Sequence, residues 1–113
     1  MKEIILTKEA PEPIGPYSQA TQKGPLLFCS GQIAIDPATN QVIKGDVKVQ
    51  AEQVMKNIEA VLKAADMKFE NVLKTTIFLT TMNDFSVVNE IYGQYFKSAP
   101  PARSTVAVSG LPK

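Results

Sequence analysis

Two stretches of this chain carry an apolar stripe on one side only, and that pattern limits the folds open to it. Ala51, Val54, Met55, Ile58, Val61, Leu62 and Ala65 recur at helical spacing, while Glu52, Gln53, Lys56, Asn57, Glu59 and Lys63 fill the other face. Asp46 is placed to cap this helix, which should end near Asp66 or Met67. The second stripe is Phe85, Val88, Ile91, Tyr92, Tyr95 and Phe96, with Asn83 or Asp84 as its cap and Pro100 beyond its end. Between them "VLKTTIFLT" is rich in β-branched residues and reads as a strand, and "ARSTVAV" reads as the last one.

Upstream, "EIILT" suits a short strand and "EAPEPIGPYSQ" a loop stiffened by proline. "SQATQKG" and "LLFCSGQIAI" read as two strands of a hairpin turning at Lys23-Gly24-Pro25, the second long and apolar enough for a central position. "DPATNQVI" is a turn followed by a short extended piece. A helix with one apolar stripe needs one partner surface, so both helices belong on one face of a mixed sheet in an α+β fold. The other sheet face, carrying Leu27, Ile33, Ile35 or their neighbours, is then too apolar for water. Self-association is expected to cover it, with threefold closure as one solution.

The chain has 113 residues, no repeat and no charge block, and reads as one domain spanning 1–113. No apolar run approaches the roughly 20 residues of a membrane span, and the N-terminus lacks the pattern of a signal peptide, so a cytoplasmic location is the default expectation. A net charge of +1, dispersed basic residues and the absence of tryptophan argue against a nucleic-acid surface. Histidine is absent, which excludes imidazole catalysis, His-activated nucleophiles and imidazole metal ligands. With one cysteine, Cys29, there is neither an intrachain disulfide nor the usual structural zinc site. Chemistry here must use carboxylates, hydroxyls, backbone groups, water and arginine.

Against that background the segment "PPARSTVAV" stands out. Two prolines stiffen the entry to a strand that opens with Arg103, a residue suited to gripping a carboxylate through two parallel hydrogen bonds, or simply to reaching water from an edge. Thr105 alternates onto the same strand face. Ser30 and Gly31 offer a hydroxyl and a backbone donor, Gly31 marking either a bulge or a close ligand approach. Cys29 beside them suits a small buried apolar residue better than a nucleophile. Tyr17, on the proline-stiffened loop, either aims its phenol into a cleft or caps the core edge. Asn89 lies near the second apolar stripe, where its amide must find a helix–strand hydrogen bond or a ligand.

The segments "IGPYSQA", "LLFCSGQIAID", "QAEQVMKNIEAVLKAAD", "VLKTTIFLTTMNDFSVVNEIYGQYF" and "PPARSTVAVSGLPK" follow one another in an order that closely resembles the RidA family (YjgF/UK114), the reactive intermediate deaminases. The resemblance runs from about Ile4 to Lys113. It implies a chorismate-mutase-like α+β fold, assembled as a homotrimer with ligand clefts between subunits. It also implies hydrolysis of 2-imino acids, chiefly 2-iminobutanoate and 2-iminopropanoate, to 2-keto acids and ammonia, without metal or cofactor. Arg103 matches the family's carboxylate-binding arginine; Tyr17, Ser30, Gly31 and Asn89 match cleft positions, and Thr105 stands where many members have cysteine. Family members are expected to continue for about a dozen residues past the position of Lys113, into a strand whose glutamate positions water. Endoribonuclease activity and non-catalytic binding of small carboxylates are the alternatives; lack of histidine and near-neutral charge weigh against the first.

Overall fold

The computed structural model describes residues 1–113, and its longest element shows how the chain is organised. Helix α1 (Val47–Ala64) starts where the Asp46 side chain accepts the Val49 N–H at 3.0 Å, and ends before Asp66 takes a left-handed φ of 59°. Helix α2 (Phe85–Tyr95) follows a short 3₁₀ turn over Met82–Asp84. Neither Asn83 nor Asp84 caps it through a side chain, contrary to expectation. Thr81 instead accepts the Asn83 N–H at 3.2 Å and starts the turn that feeds the helix.

The strands are β1 (Glu3–Ile5), β2 (Ala20–Lys23), β3 (Leu26–Cys29), β4 (Ile35–Asp36), β5 (Gln41–Val42), β6 (Lys74–Leu79) and β7 (Ala102–Ala107). They do not join into one mixed sheet. β1, β2 and β3 form an antiparallel meander, β4 and β5 a minimal hairpin, and β6 pairs in parallel with β7 across the α2 crossover. The β2–β3 turn falls at Gly24-Pro25, as predicted, with Gly24 at φ 58°.

The expected long strand "LLFCSGQIAI" is broken after Cys29. Asn57, placed by periodicity on the polar face of α1, is 1% exposed and holds the segment beyond the break. Its amide donates to the carbonyls of Ile33 (3.2 Å) and Ile35 (2.9 Å) and accepts from Gln53, so helix α1 satisfies backbone that a neighbouring strand would otherwise pair.

Both helices cover the same side of the strands. Val61 of α1 packs with Ile5, Ala10 and Ala20, with Leu27 against them; Met55 of α1 packs with Ile91, Tyr92 and Phe96, with Ile77 of β6 beneath. Leu27 therefore faces the helices and Ile35 is buried, so neither lies on the open face. That face carries their neighbours: Ile4, Leu26, Phe28, Phe78 and Val106 are all exposed. No helix is long and apolar enough to cross a membrane.

Gln19 fastens the proline-rich loop to the meander. At 2% exposure, its Oε1 accepts the Thr7 N–H at 2.7 Å, and its Nε2 donates to the carbonyls of Thr7, Ala10 and Pro11 at 3.0, 3.3 and 2.9 Å. No other side chain replaces these bonds. Gln19→Leu keeps comparable bulk but orphans the loop's backbone groups, and should cost about 3 kcal/mol in urea unfolding. A loss below about 0.5 kcal/mol, the scatter of neutral surface changes, would show that the latch is dispensable.

Candidate functional site

Arg103 is the only arginine among twelve basic residues. After α2 the chain turns through Ala99, at a left-handed φ of 48°, and Pro100-Pro101 into β7. Parallel pairing then sets Arg103 in register with Thr75, and Thr105 with Ile77. Because side chains alternate along a strand, Thr75, Ile77, Arg103 and Thr105 all face the helices. Ser104, Thr76, Phe78 and Val106 take the open side.

On the helix side Arg103 meets one stripe of α2, formed by Phe85, Asn89 and Tyr92 at successive turns. Its Nη1 donates to Asn89 Oδ1 at 2.6 Å. Its Cζ lies 4.9 Å from the Tyr92 ring centroid and 5.5 Å from that of Phe85. Asn89 thus makes the helix–strand hydrogen bond that its position required, from an exposed site. No carboxylate neutralises the cation, and Asn89 is its one protein hydrogen-bond partner. A guanidinium carries five N–H donors, so the Nε–Nη2 edge remains free for a planar anion. Two residues on, Thr105 Oγ1 is buried with no hydrogen-bond partner. A buried hydroxyl left unpaired is costly, so Thr105 Oγ1 is the one unsatisfied polar side-chain atom beside the arginine.

The other predicted residues gather elsewhere. Ser30 extends the β2–β3 ladder, its N–H donating to Gln19 O at 3.0 Å and its hydroxyl to Ser18 O at 2.6 Å. It borders a shallow concavity of about 220 Å³ with Ser18, Ala20, Thr21, Phe28 and Cys29. Gly31 lies beyond the strand, not within it, and a Cβ there would meet nothing within 4 Å. Neither a bulge nor a close contact from its own chain explains the glycine. Tyr17 is 53% exposed and its hydroxyl accepts the Ile14 N–H at 3.2 Å, so the phenol folds back over its own loop. The candidate residues therefore form two groups, Arg103 with Asn89 and Thr105, and Tyr17 with Ser30 and Gly31. No hydrogen bond joins the groups.

Phe85, Tyr92 and Thr75 also belong to the site, although nothing in their residue types marks them as site residues. The two aromatics read as core and the threonine as strand, although aromatics on the same helical stripe as Asn89 were the available signal. Cys29, expected to be buried, is exposed at the end of β3. Partial burial of its thiol nevertheless raises its pKa, which disfavours the reactive thiolate. The midpoint of its alkylation by iodoacetamide should therefore lie at higher pH in the folded protein than in the urea-unfolded chain. A midpoint equal to or below the unfolded one would contradict this placement.

The family model described as endoribonuclease L-PSP matches residues 7–113. A human protein named 2-iminobutanoate/2-iminopropanoate deaminase is 49% identical over 113 residues, covering all of this chain and 82% of its own length. Among solved structures, the Yersinia pestis YyfA protein of the conserved Rid family superposes with a TM-score of 0.98 at 51% identity, over 100% of this chain and 90% of that one. Escherichia coli TdcF, solved with bound serine, gives a TM-score of 0.93 at 41% identity, over 98% of this chain and 89% of its own.

Proposed function

The chain belongs to the RidA family, whose family model carries the description endoribonuclease L-PSP, and on that premise we propose that it hydrolyses small 2-imino acids such as 2-iminobutanoate and 2-iminopropanoate. The observation that carries this reading is the state of Arg103: a guanidinium seated on two aromatic rings, held by one amide, with no acidic partner. A 2-imino acid presents the planar carboxylate that its free edge fits. The human relative's name points to the same substrates, and the serine in the TdcF structure is a small amino acid with a carboxylate of the same kind.

The chemistry places modest demands on the protein. Water adds to the iminium carbon, the carbon–nitrogen bond breaks, and the two protons of water leave on nitrogen as ammonium departs from the 2-keto acid. A protonated imine is already electrophilic, so holding it by its carboxylate while water is aimed at the carbon supplies much of the rate, without histidine. Ser30, the Gly31 N–H, Tyr17 and Thr105 are the remaining binding residues, Thr105 through its backbone; no side chain is assigned as general base.

A homotrimer completes this reading. Its clefts lie between subunits, where the Tyr17–Ser30–Gly31 group of one copy meets the Arg103 group of the next. Two features support it: the groups are not bonded within one chain, and Ile4, Leu26, Phe28, Phe78 and Val106 leave an apolar face open. Sedimentation should give about three times 12.3 kDa, and Phe78→Glu should shift it toward the monomer. A monomeric wild type would contradict the arrangement.

The test of function is loss of imine generated in place by a threonine dehydratase and trapped competitively by semicarbazide. Wild type should accelerate hydrolysis, and Arg103→Ala should reduce that acceleration by about 100-fold, the scale of a lost charged hydrogen-bond pair. Equal rates for the two would remove Arg103 from the site. The family description favours RNA cleavage as a second reading, which cleavage of RNA by wild type and not by Arg103→Ala would support. Keto-acid binding without turnover would leave a carboxylate-binding module.

A further inference from the structure

Tyr92 combines three features that a core aromatic does not need together. It is 9% exposed and packs against Phe96 at 4.6 Å between ring centroids, within the cluster that also holds Met55 and Ile91. Its ring carries the Arg103 guanidinium. Its hydroxyl lies 2.7 Å from Thr75 Oγ1. Packing alone would be served as well by phenylalanine, which leaves no buried hydroxyl to satisfy. The hydroxyl's partner is, moreover, the β6 residue in register with Arg103. The contacts therefore close a ring of three: β6 to α2 through the hydroxyl bond, α2 to β7 through the cation on the aromatic face, and β7 to β6 through the strand pairing.

We propose that Tyr92 is the positioning residue of the carboxylate clamp, with Thr75 fixing the ring on which the Arg103 guanidinium lies. This rests on the reading of Arg103 as that clamp. Arginine has long rotamer-rich geometry, and ordering it only on binding weakens affinity. Asn89 holds one nitrogen, which leaves the guanidinium plane free to swing about that contact. A flat ring fixed beneath it removes the remaining freedom, so the Nε–Nη2 edge is offered in one orientation. The Thr75–Tyr92 bond does for the ring what Asn89 does for the cation. Tyr92 touches no substrate in this scheme and acts through Arg103.

The design predicts a coupling that mere core packing does not. Tyr92→Phe keeps the ring and Thr75→Val keeps the strand, yet each removes the same hydrogen bond. Each variant should weaken binding of 2-oxobutanoate about fivefold, the scale of one net hydrogen bond. The double variant should lose no more than either single one, because the bond is lost only once. It leaves no unpaired buried hydroxyl, so its unfolding midpoint should stay close to wild type and separate clamp geometry from stability.

A second readout does not need a ligand. As the sole arginine, Arg103 gives one Nε signal in ¹⁵N-arginine-labelled protein, and rotation about its Nε–Cζ bond can be followed by NMR. Rotation should be slow in wild type and faster in both single variants and in the double variant. If wild type binds no keto acid while Tyr92→Phe still frees this rotation, the functional reading fails and the positioning stands. If wild type binds but Tyr92→Phe changes neither rotation nor affinity, or if the two substitutions add, Tyr92 is only a core residue.

Discussion

The parallel register between β6 and β7 is the constraint on which the candidate site depends. It puts Thr75 beside Arg103 and turns both toward α2. A slip of one residue would send the arginine to the open face and bring Ser104 under the helix, because alternate strand positions face opposite ways. The register is protected by what lies on the helix side. Ile77 packs against the Met55–Ile91–Tyr92–Phe96 cluster, Leu79 is buried, and the Thr75 hydroxyl finds Tyr92. Packing of the core and placement of the one arginine are therefore decided by the same set of contacts.

Within that frame α2 has two roles on adjoining surfaces. Ile91, Tyr92 and Phe96 face α1 and the strands, while Phe85, Asn89 and one face of Tyr92 line the seat of the guanidinium. Exposed cation–π contacts are each worth about 0.5–1 kcal/mol, so the two rings hold the cation without neutralising it. A carboxylate in their place would bind Arg103 more tightly and occupy the edge that the proposed substrate would use. An amide oxygen is the milder choice: it accepts one hydrogen and leaves the charge to be met by a ligand. In a chain without histidine, the one arginine is thereby left without an acidic partner.

Much of this was legible from residue patterns. The two helices, the β6 and β7 strands, the Asp46 cap and the Gly24-Pro25 turn followed from periodicity, branched side chains and turn chemistry. The pattern was less informative where one polar side chain overrode it. Asn57 lies on the polar side of α1 by spacing but is buried against the Ile33–Ile35 backbone, which follows the irregular stretch where the apparent long strand is interrupted. The expectation of one mixed sheet failed for a related reason: apolar runs identify strands but do not say which edges pair. At the site, Arg103 and Asn89 could be nominated from residue type. Their partnership could not, because it joins positions on different elements whose register only the fold supplies. Tyr92 was hidden by its double role, since a core aromatic and a cation's seat look alike in sequence.

The most direct measurement is a crystal structure of the protein with 2-oxobutanoate, the keto-acid product of 2-iminobutanoate hydrolysis. The ligand carboxylate should lie on the Nε–Nη2 edge of Arg103 through two hydrogen bonds of about 2.8 Å, with the guanidinium still bonded to Asn89 and stacked on Tyr92. A ligand seated away from Arg103, or a guanidinium that abandons Asn89 and Tyr92 to reach it, would contradict a clamp preformed by α2.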